Sequence, residues 1–158
     1  MTGADVIEKL EFKKVLAYIS KYCITENGRN EVLQIFPSDS YEWIIYEGEL
    51  VNEAKNILIN TENPPIEHLS NLDEALSQSR IEGAVLDGKK ISEILKLAVV
   101  SRNLFQFIKS NSDSSVKLFE TISNLFVDKV FEHHIKKVIS EHGEVLDILI
   151  AKGHPEAD

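Results

Sequence analysis

The stretch from Lys90 to Asn111, KISEILKLAVVSRNLFQFIKSN, constrains this chain more than any other. Ile91, Ile94, Leu95, Ala98 and Phe105 fall on one stripe at three- and four-residue spacing. Leu97, Val100, Leu104, Phe107 and Ile108 make a second stripe beside it. A helix that is apolar around most of its girth has to be covered on several sides. Asp87 or Gly88 can start it, and the run Ser110-Asn111-Ser112-Asp113-Ser114 ends it with residues that favour caps and turns. Lys96, Arg102, Asn103 and Gln106 interrupt it too often for a membrane span, which needs roughly 20 nearly unbroken apolar residues. The expectation is a central buried helix that its neighbours wrap.

Those neighbours also read as helices. Glu8 to Cys23 reads as one, with Leu10, Val15, Leu16, Ile19 and Phe12 on its inner side. Thr25 can cap the next, since its hydroxyl can accept an orphan amide of the first turn. Val32, Leu33, Ile35 and Phe36 carry that helix to Pro37, which stops it. The short joint predicts an antiparallel helical hairpin. Ser38, Asp39 and Ser40 offer three N-caps for a long helix reaching about Asn60. Its stripe is Ile44, Glu47, Val51, Ala54 and Leu58, widened by Leu50 and Ile57, and Gly48 suggests a close helix crossing. A loop at Thr61–Pro65 precedes a short helix from Leu72 to about Gln78, with Ser70 and Asp73 placed as a capping box. After the central helix, Ser114 to Leu125 and Val127 to Ser140 are the last two, the latter buried on Val130, Phe131, Ile135, Val138 and Ile139. No stretch alternates at period two. The prediction is all-α: one multi-helix domain over residues 1–147, with a tail at 148–158.

At 158 residues and 43% hydrophobic content the chain can bury a core without staples. Its single cysteine, Cys23, cannot form an internal disulfide and reads as a buried structural thiol, which fits a reducing cytoplasm. Thr2-Gly3-Ala4-Asp5 leads straight into an amphipathic pattern with no export signal, so neither export nor membrane anchoring is expected. The formal net charge is -9. The basic pairs Lys13-Lys14, Lys89-Lys90 and Lys136-Lys137 lie far apart, and an acidic surface repels polyanions at long range. Taken alone, the chain is expected to bind nucleic acid weakly or not at all.

The candidates for chemistry are weaker than their plain readings. Gly83 to Lys90 matches the phosphate-loop pattern G-x-x-x-x-G-K, but Lys90 stands where Ser or Thr must hold magnesium. No strand precedes it, and Asp87 would face the phosphates. Glu132-His133-His134 with His142 invites a metal reading. Adjacent histidines on a helix point about 100° apart, however, and H-E-x-x-H is absent. His68 and His154 are isolated. Tyr41, Trp43 and Tyr46 resemble a base-stacking platform, yet no cations flank them, and helix packing explains them better. No G-x-S-x-G and no Ser, His and Asp constellation can be assembled. No catalytic, cofactor-binding or metal residue is therefore nominated, and the chain is expected not to be an enzyme by itself.

Taken in order, several short motifs resemble the N-terminal region of the MutS-II family, the bacterial MutS-like ATPases of the DNA mismatch repair superfamily. Residues 10–16, LEFKKVL, are similar to the family's opening L-E-F-x-K-[IV]-L, and Thr25-Glu26-Asn27-Gly28-Arg29 to its T-x-x-G-[RK] turn. Pro37-Ser38 and the later Glu53-Ala54 match P-S-T and E-A. Residues 72–76 and 80–86 resemble its short helix and G-x-x-L turn. Residues 141–147 resemble D-x-G-E-V-x-D, after which the family's S-A-S-P-E-L gives way here to Ile148-Leu149-Ile150-Ala151-Lys152-Gly153. The resemblance implies a helical core and lever that couples a clamp to an ATPase. The parent protein would bind branched or mismatched DNA, suppress recombination or rescue collided ribosomes, and it would be a cytoplasmic homodimer. ATP and magnesium would be held elsewhere in that parent, which in many relatives also carries an Smr nuclease domain. The rival reading is a free-standing helical adaptor that docks protein partners on the Trp43 and Tyr46 face.

Overall fold

Glu11 interrupts what the apolar spacing suggests is one N-terminal helix. In the computed structural model, which describes residues 3–61, 63–125 and 127–146, α1 (Gly3–Lys9) ends there and α2 (Phe12–Ile19) begins. Glu11 itself sits in the left-handed region at φ 54°. That conformation costs a non-glycine residue roughly 1–2 kcal/mol. Its carbonyl nonetheless starts α2 by accepting from the Lys14 and Val15 amides, at 2.8 and 3.3 Å. The expected single helix over residues 8–23 is thus two helices and a 3-10 turn at Ser20–Tyr22. Of the proposed inner residues only Leu16 is buried; Leu10, Val15 and Ile19 are exposed.

The chain forms two compact units, residues 1–71 and 72–158. In the first, α2 packs against α3 (Glu26–Leu33) as the predicted hairpin. The Thr25 hydroxyl accepts from the Gly28 amide at 3.1 Å, the expected cap. The helix ends at Leu33, short of the predicted Phe36, which lies in solvent. The segment before residue 71 then returns across the start of α3. Leu69 accepts from the Glu26 amide at 3.2 Å, Glu26 accepts from the Asn71 amide at 2.8 Å, and the His68 ring meets the Ile24 carbonyl at 3.1 Å. α4 (Tyr41–Asn60) starts on Ser40, whose hydroxyl accepts from the Trp43 amide at 3.4 Å. Its covered strip runs through Leu50, Ala54 and Ile57 at i, i+4 and i+7, while Ile44, Val51 and Leu58 face solvent. The inner face keeps Glu47 and Ala54 of the predicted stripe and is rotated towards Leu50 and Ile57, which had only widened it. The Cβ that Gly48 lacks would meet nothing within 4 Å, so among the described residues no helix crosses there.

In the second unit, α5 (Asp73–Gln78) begins on Leu72, whose own side chain supplies no cap. Its C-terminus holds the connector: Gln78 donates from Nε2 to the Val85 carbonyl at 3.1 Å and accepts from Lys90 Nζ at 3.4 Å. α6 (Gly88–Ser110) is the central helix. Leu95, Ala98, Val100 and Ile108 are buried, and only Lys89, Gln106, Lys109 and Ser110 are exposed, as a helix apolar on most sides requires. α7 (Val116–Ile122) and α8 (Lys129–Val138) pack on it. Phe105 meets Phe119 with ring centroids 6.0 Å apart. Ser115, fully buried, donates to the Asn111 carbonyl at 2.7 Å and ties the end of α6 to the start of α7. Among the described residues there is no strand. A single antiparallel bridge joins Ile139 to Val145, so the predicted all-α class is observed.

Candidate functional site

The residues singled out for chemistry are taken up by the fold in other ways. Asp87 caps α6, its carboxylate accepting from the Lys90 amide at 2.8 Å. The supposed phosphate loop is therefore a helix start whose anion is already the protein's own. The turn after α8 closes over that start. The Cβ absent from Gly88 would fall 2.0 Å from the Gly143 carbonyl oxygen, and the one absent from Gly143 would fall 2.7 Å from the Lys89 backbone. Gly143, at φ 82°, also takes a conformation that suits glycine. Ser92 donates to the Glu141 carbonyl at 2.9 Å, and Ser140 accepts from the His142 and Glu144 amides at 3.3 and 3.0 Å. The turn at 140–146 is thus clasped backbone to backbone on the first turn of α6. Sequence reasoning took Gly88 as a possible helix start and met Gly143 only within the 141–147 motif. Nothing in their local spacing links residue 88 to residue 143.

The acidic and imidazole cluster of α8 comes apart in the same way. Glu132 is buried and turned inward, its two oxygens receiving Arg102 Nε at 2.6 Å and Arg102 Nη2 at 3.2 Å. Arg102 Nη1 donates to Asn103 at 2.9 Å. The hydrogen bond that Arg102 donates to Glu132 raises the Arg102 pKa above its ordinary value, partial burial opposes that rise, and their charge attraction adds to it. His133 and His134 face solvent, and His134 Nδ1 meets the Val130 carbonyl at 2.8 Å. Among the described residues no group of three metal-ligating side chains comes together. Val130, predicted to be inward, is exposed; Glu132 holds the inner position instead. The usable signal was Glu132 on the same stripe as Ile135 and Ile139, three and seven residues on.

The first unit carries a different kind of surface. α1, α2 and the end of α3 border an open groove of about 1060 Å³, with Ile7, Phe12, Leu16, Leu33, Ile35 and Phe36 on its walls and Glu8, Glu11, Lys13 and Lys14 along it. Lys14 pairs with Glu11 on this rim, an exposed contact of little energetic weight. Tyr41, Trp43, Ile44, Ile45 and Tyr46 are exposed on α4. Cys23 is a half-buried free thiol. Among the described residues no helix is long and apolar enough to cross a membrane.

Buried helix contacts, a fixed ion pair and open apolar faces define a helical packing module. Comparison with known proteins says which kind. The chain is 29% identical over 144 residues to the protein named endonuclease MutS2 of Clostridium perfringens, covering 90% of this chain. It is 30% identical over 142 residues, 87% of the chain, to endonuclease MutS2 of Clostridium beijerinckii. To the putative endonuclease MutS2 of Bacillus subtilis it is 28% identical over 145 residues. It is thus a relative of the MutS2 proteins along nearly its whole described length, in agreement with the ordered motifs. The chain spans 18% of the length of each of these relatives. No protein-family profile matches the chain, and no solved structure matches it significantly.

Proposed function

We propose that this chain is the N-terminal helical core and lever segment of a MutS2-like, nucleic-acid-acting protein, and that it transmits movement without performing chemistry. The observation that carries this reading is similarity over nine-tenths of the chain to proteins named endonuclease MutS2, of which it makes up less than a fifth. The remainder of such a protein would supply the clamp, the ATPase with its ATP and magnesium, and any nuclease. Its substrates would be branched or mismatched DNA or a stalled ribosome, with a homodimer as the working form. A rod suits a lever. The 23 residues of α6 run about 34 Å. The Arg102–Glu132 pair and the Gly88–Gly143 contact tie α8 and the turn beyond it to this rod. A body held this way moves as a unit between discrete packings.

The test is the mass of the native protein in its source cells, probed with an antibody against this chain. A species several times heavier agrees with the lever reading. A species of about 18 kDa overturns it and moves the adaptor reading forward, in which the exposed Trp43 and Tyr46 face of α4 docks a protein partner. On the lever reading the isolated chain neither hydrolyses ATP nor cuts DNA. Reproducible turnover lost on Lys89→Ala would contradict it.

A further inference from the structure

In a chain of net charge -9, the solvent side of α8 bears no carboxylate. At 100° per residue, Lys129, Val130, His133, His134, Lys136 and Lys137 fall within one half of the helix, and all six are exposed. Two of the carboxylates nearest in sequence are engaged elsewhere, and two lie outside the helix. Asp128 caps the helix, accepting from the Val130 and Phe131 amides at 2.8 and 3.1 Å. Glu132 is turned inward and neutralised by Arg102. Glu141 and Glu144 lie beyond the helix, in the turn clasped on α6. The other basic pairs differ: Lys14 is paired with Glu11, and Lys90 is tied to Gln78. Among the described residues none of the three α8 lysines is held in an ion pair.

We propose that this face of α8 is a docking surface for the phosphate backbone of a nucleic-acid duplex. Lys129 and Lys136 are about 10 Å apart along the helix axis. One strand of a duplex presents a phosphate every 3.4 Å or so of its axis, so the row fits about three phosphates. The choice of a nucleic acid over an acidic protein rests on the proposed MutS2-like function; the surface itself rests on the geometry. A contact made to phosphates positions a duplex without selecting its sequence.

The experiment is fluorescence anisotropy of a labelled 20-base-pair duplex with the full chain, started at low salt because the rest of the surface is acidic. Three lysine–phosphate contacts give a slope of log K against log salt of about -2.7, which is about a 40-fold loss from 50 to 200 mM salt. The variant Lys129→Gln/Lys136→Gln/Lys137→Gln is expected to melt with the parent and to lose both binding and slope. Lys13→Gln/Lys14→Gln is expected to keep both. Absent binding at 25 mM salt, or a slope unchanged in the triple variant, overturns the assignment. So does polyglutamate bound as tightly as the duplex, since the face would then fit an acidic protein segment. A heavy native species together with failure here overturns the α8 surface and leaves the lever reading standing.

Discussion

Removing one half of the Arg102–Glu132 pair is the sharpest test of how the second unit is held together. Breaking a buried ion pair strands the remaining charge and costs about 3–5 kcal/mol, whereas replacing both partners with apolar groups of similar size is close to neutral. The two side chains differ in access: Arg102 keeps 17% of its surface and Glu132 keeps 7%. An arginine left alone can swing its guanidinium back to water along its aliphatic stem. A glutamate left alone at this depth cannot. Glu132→Ala is therefore expected at the lower end, about 3 kcal/mol, and Arg102→Met about 1 kcal/mol beyond it. Arg102→Met/Glu132→Leu is expected within about 1 kcal/mol of the parent. Urea unfolding followed by circular dichroism measures all four proteins, and the double-mutant cycle isolates the coupling. Two results would refute the reasoning: single variants that each lose under about 1 kcal/mol, as exposed pairs do, or a double variant that loses the sum of the singles. The pH dependence has a definite sign. Because the folded protein raises the Arg102 pKa, its contribution is complete below the unfolded value and is lost only as pH rises through the still higher folded one. Both lie far above neutral pH. The gap between parent and Arg102→Met is therefore expected to be the same at pH 7 and pH 9.

Four other expectations rest on separate features. Leu95→Ala should lose about 2–5 kcal/mol in thermal or urea melts, because Leu95 is buried in the central helix, and Phe105→Ala, only half-buried against Phe119, about 3; variants that melt with the parent would show the helix is not the core. Gly48→Ala should stabilise by about 1 kcal/mol, since its Cβ enters open space within a helix. Gly88→Ala should destabilise instead, because its Cβ meets the Gly143 carbonyl at 2.0 Å; hydrogen exchange at the Ser140 and Leu146 amides would read out the opened clasp. Asp87→Ala should cost about 1 kcal/mol by removing the α6 cap, and Asp87→Asn should recover most of it.

How much of the fold was legible in the sequence depended on whether the deciding contact was local. The all-α class, the hairpin at Thr25, the Ser40 start of α4 and the Asp87 start of α6 rest on periodicity and on side chains reaching three residues along the chain. Sequence reports such relations directly. The break at Glu11 was missed because the apolar spacing on either side of it is in phase and glutamate carries no turn signal. The inner face of α4 was misplaced because its stripe is broad, and a broad stripe leaves open which narrow strip a neighbour covers. The α8 reading failed at Val130, expected inside but exposed, and at Glu132, which was not among the expected inner residues and is buried against an arginine from another helix.

By itself, then, the sequence determined which segments are helical, where most of them start, that α6 is a core helix, and which protein family the chain is related to. Each follows from spacing within a few turns or from motifs read in order. Tertiary structure alone decided that Glu132 belongs to Arg102 and not to its histidine neighbours, that Gly143 lies on Gly88, and that the exposed face of α8 carries three lysines and no carboxylate. Those are pairings across 30 and 55 residues and a sorting of charge by direction, and one-dimensional spacing does not contain them. The physical reason is the same in each case: a net charge or a residue type is a sum along the chain, whereas binding and packing depend on which groups share a face.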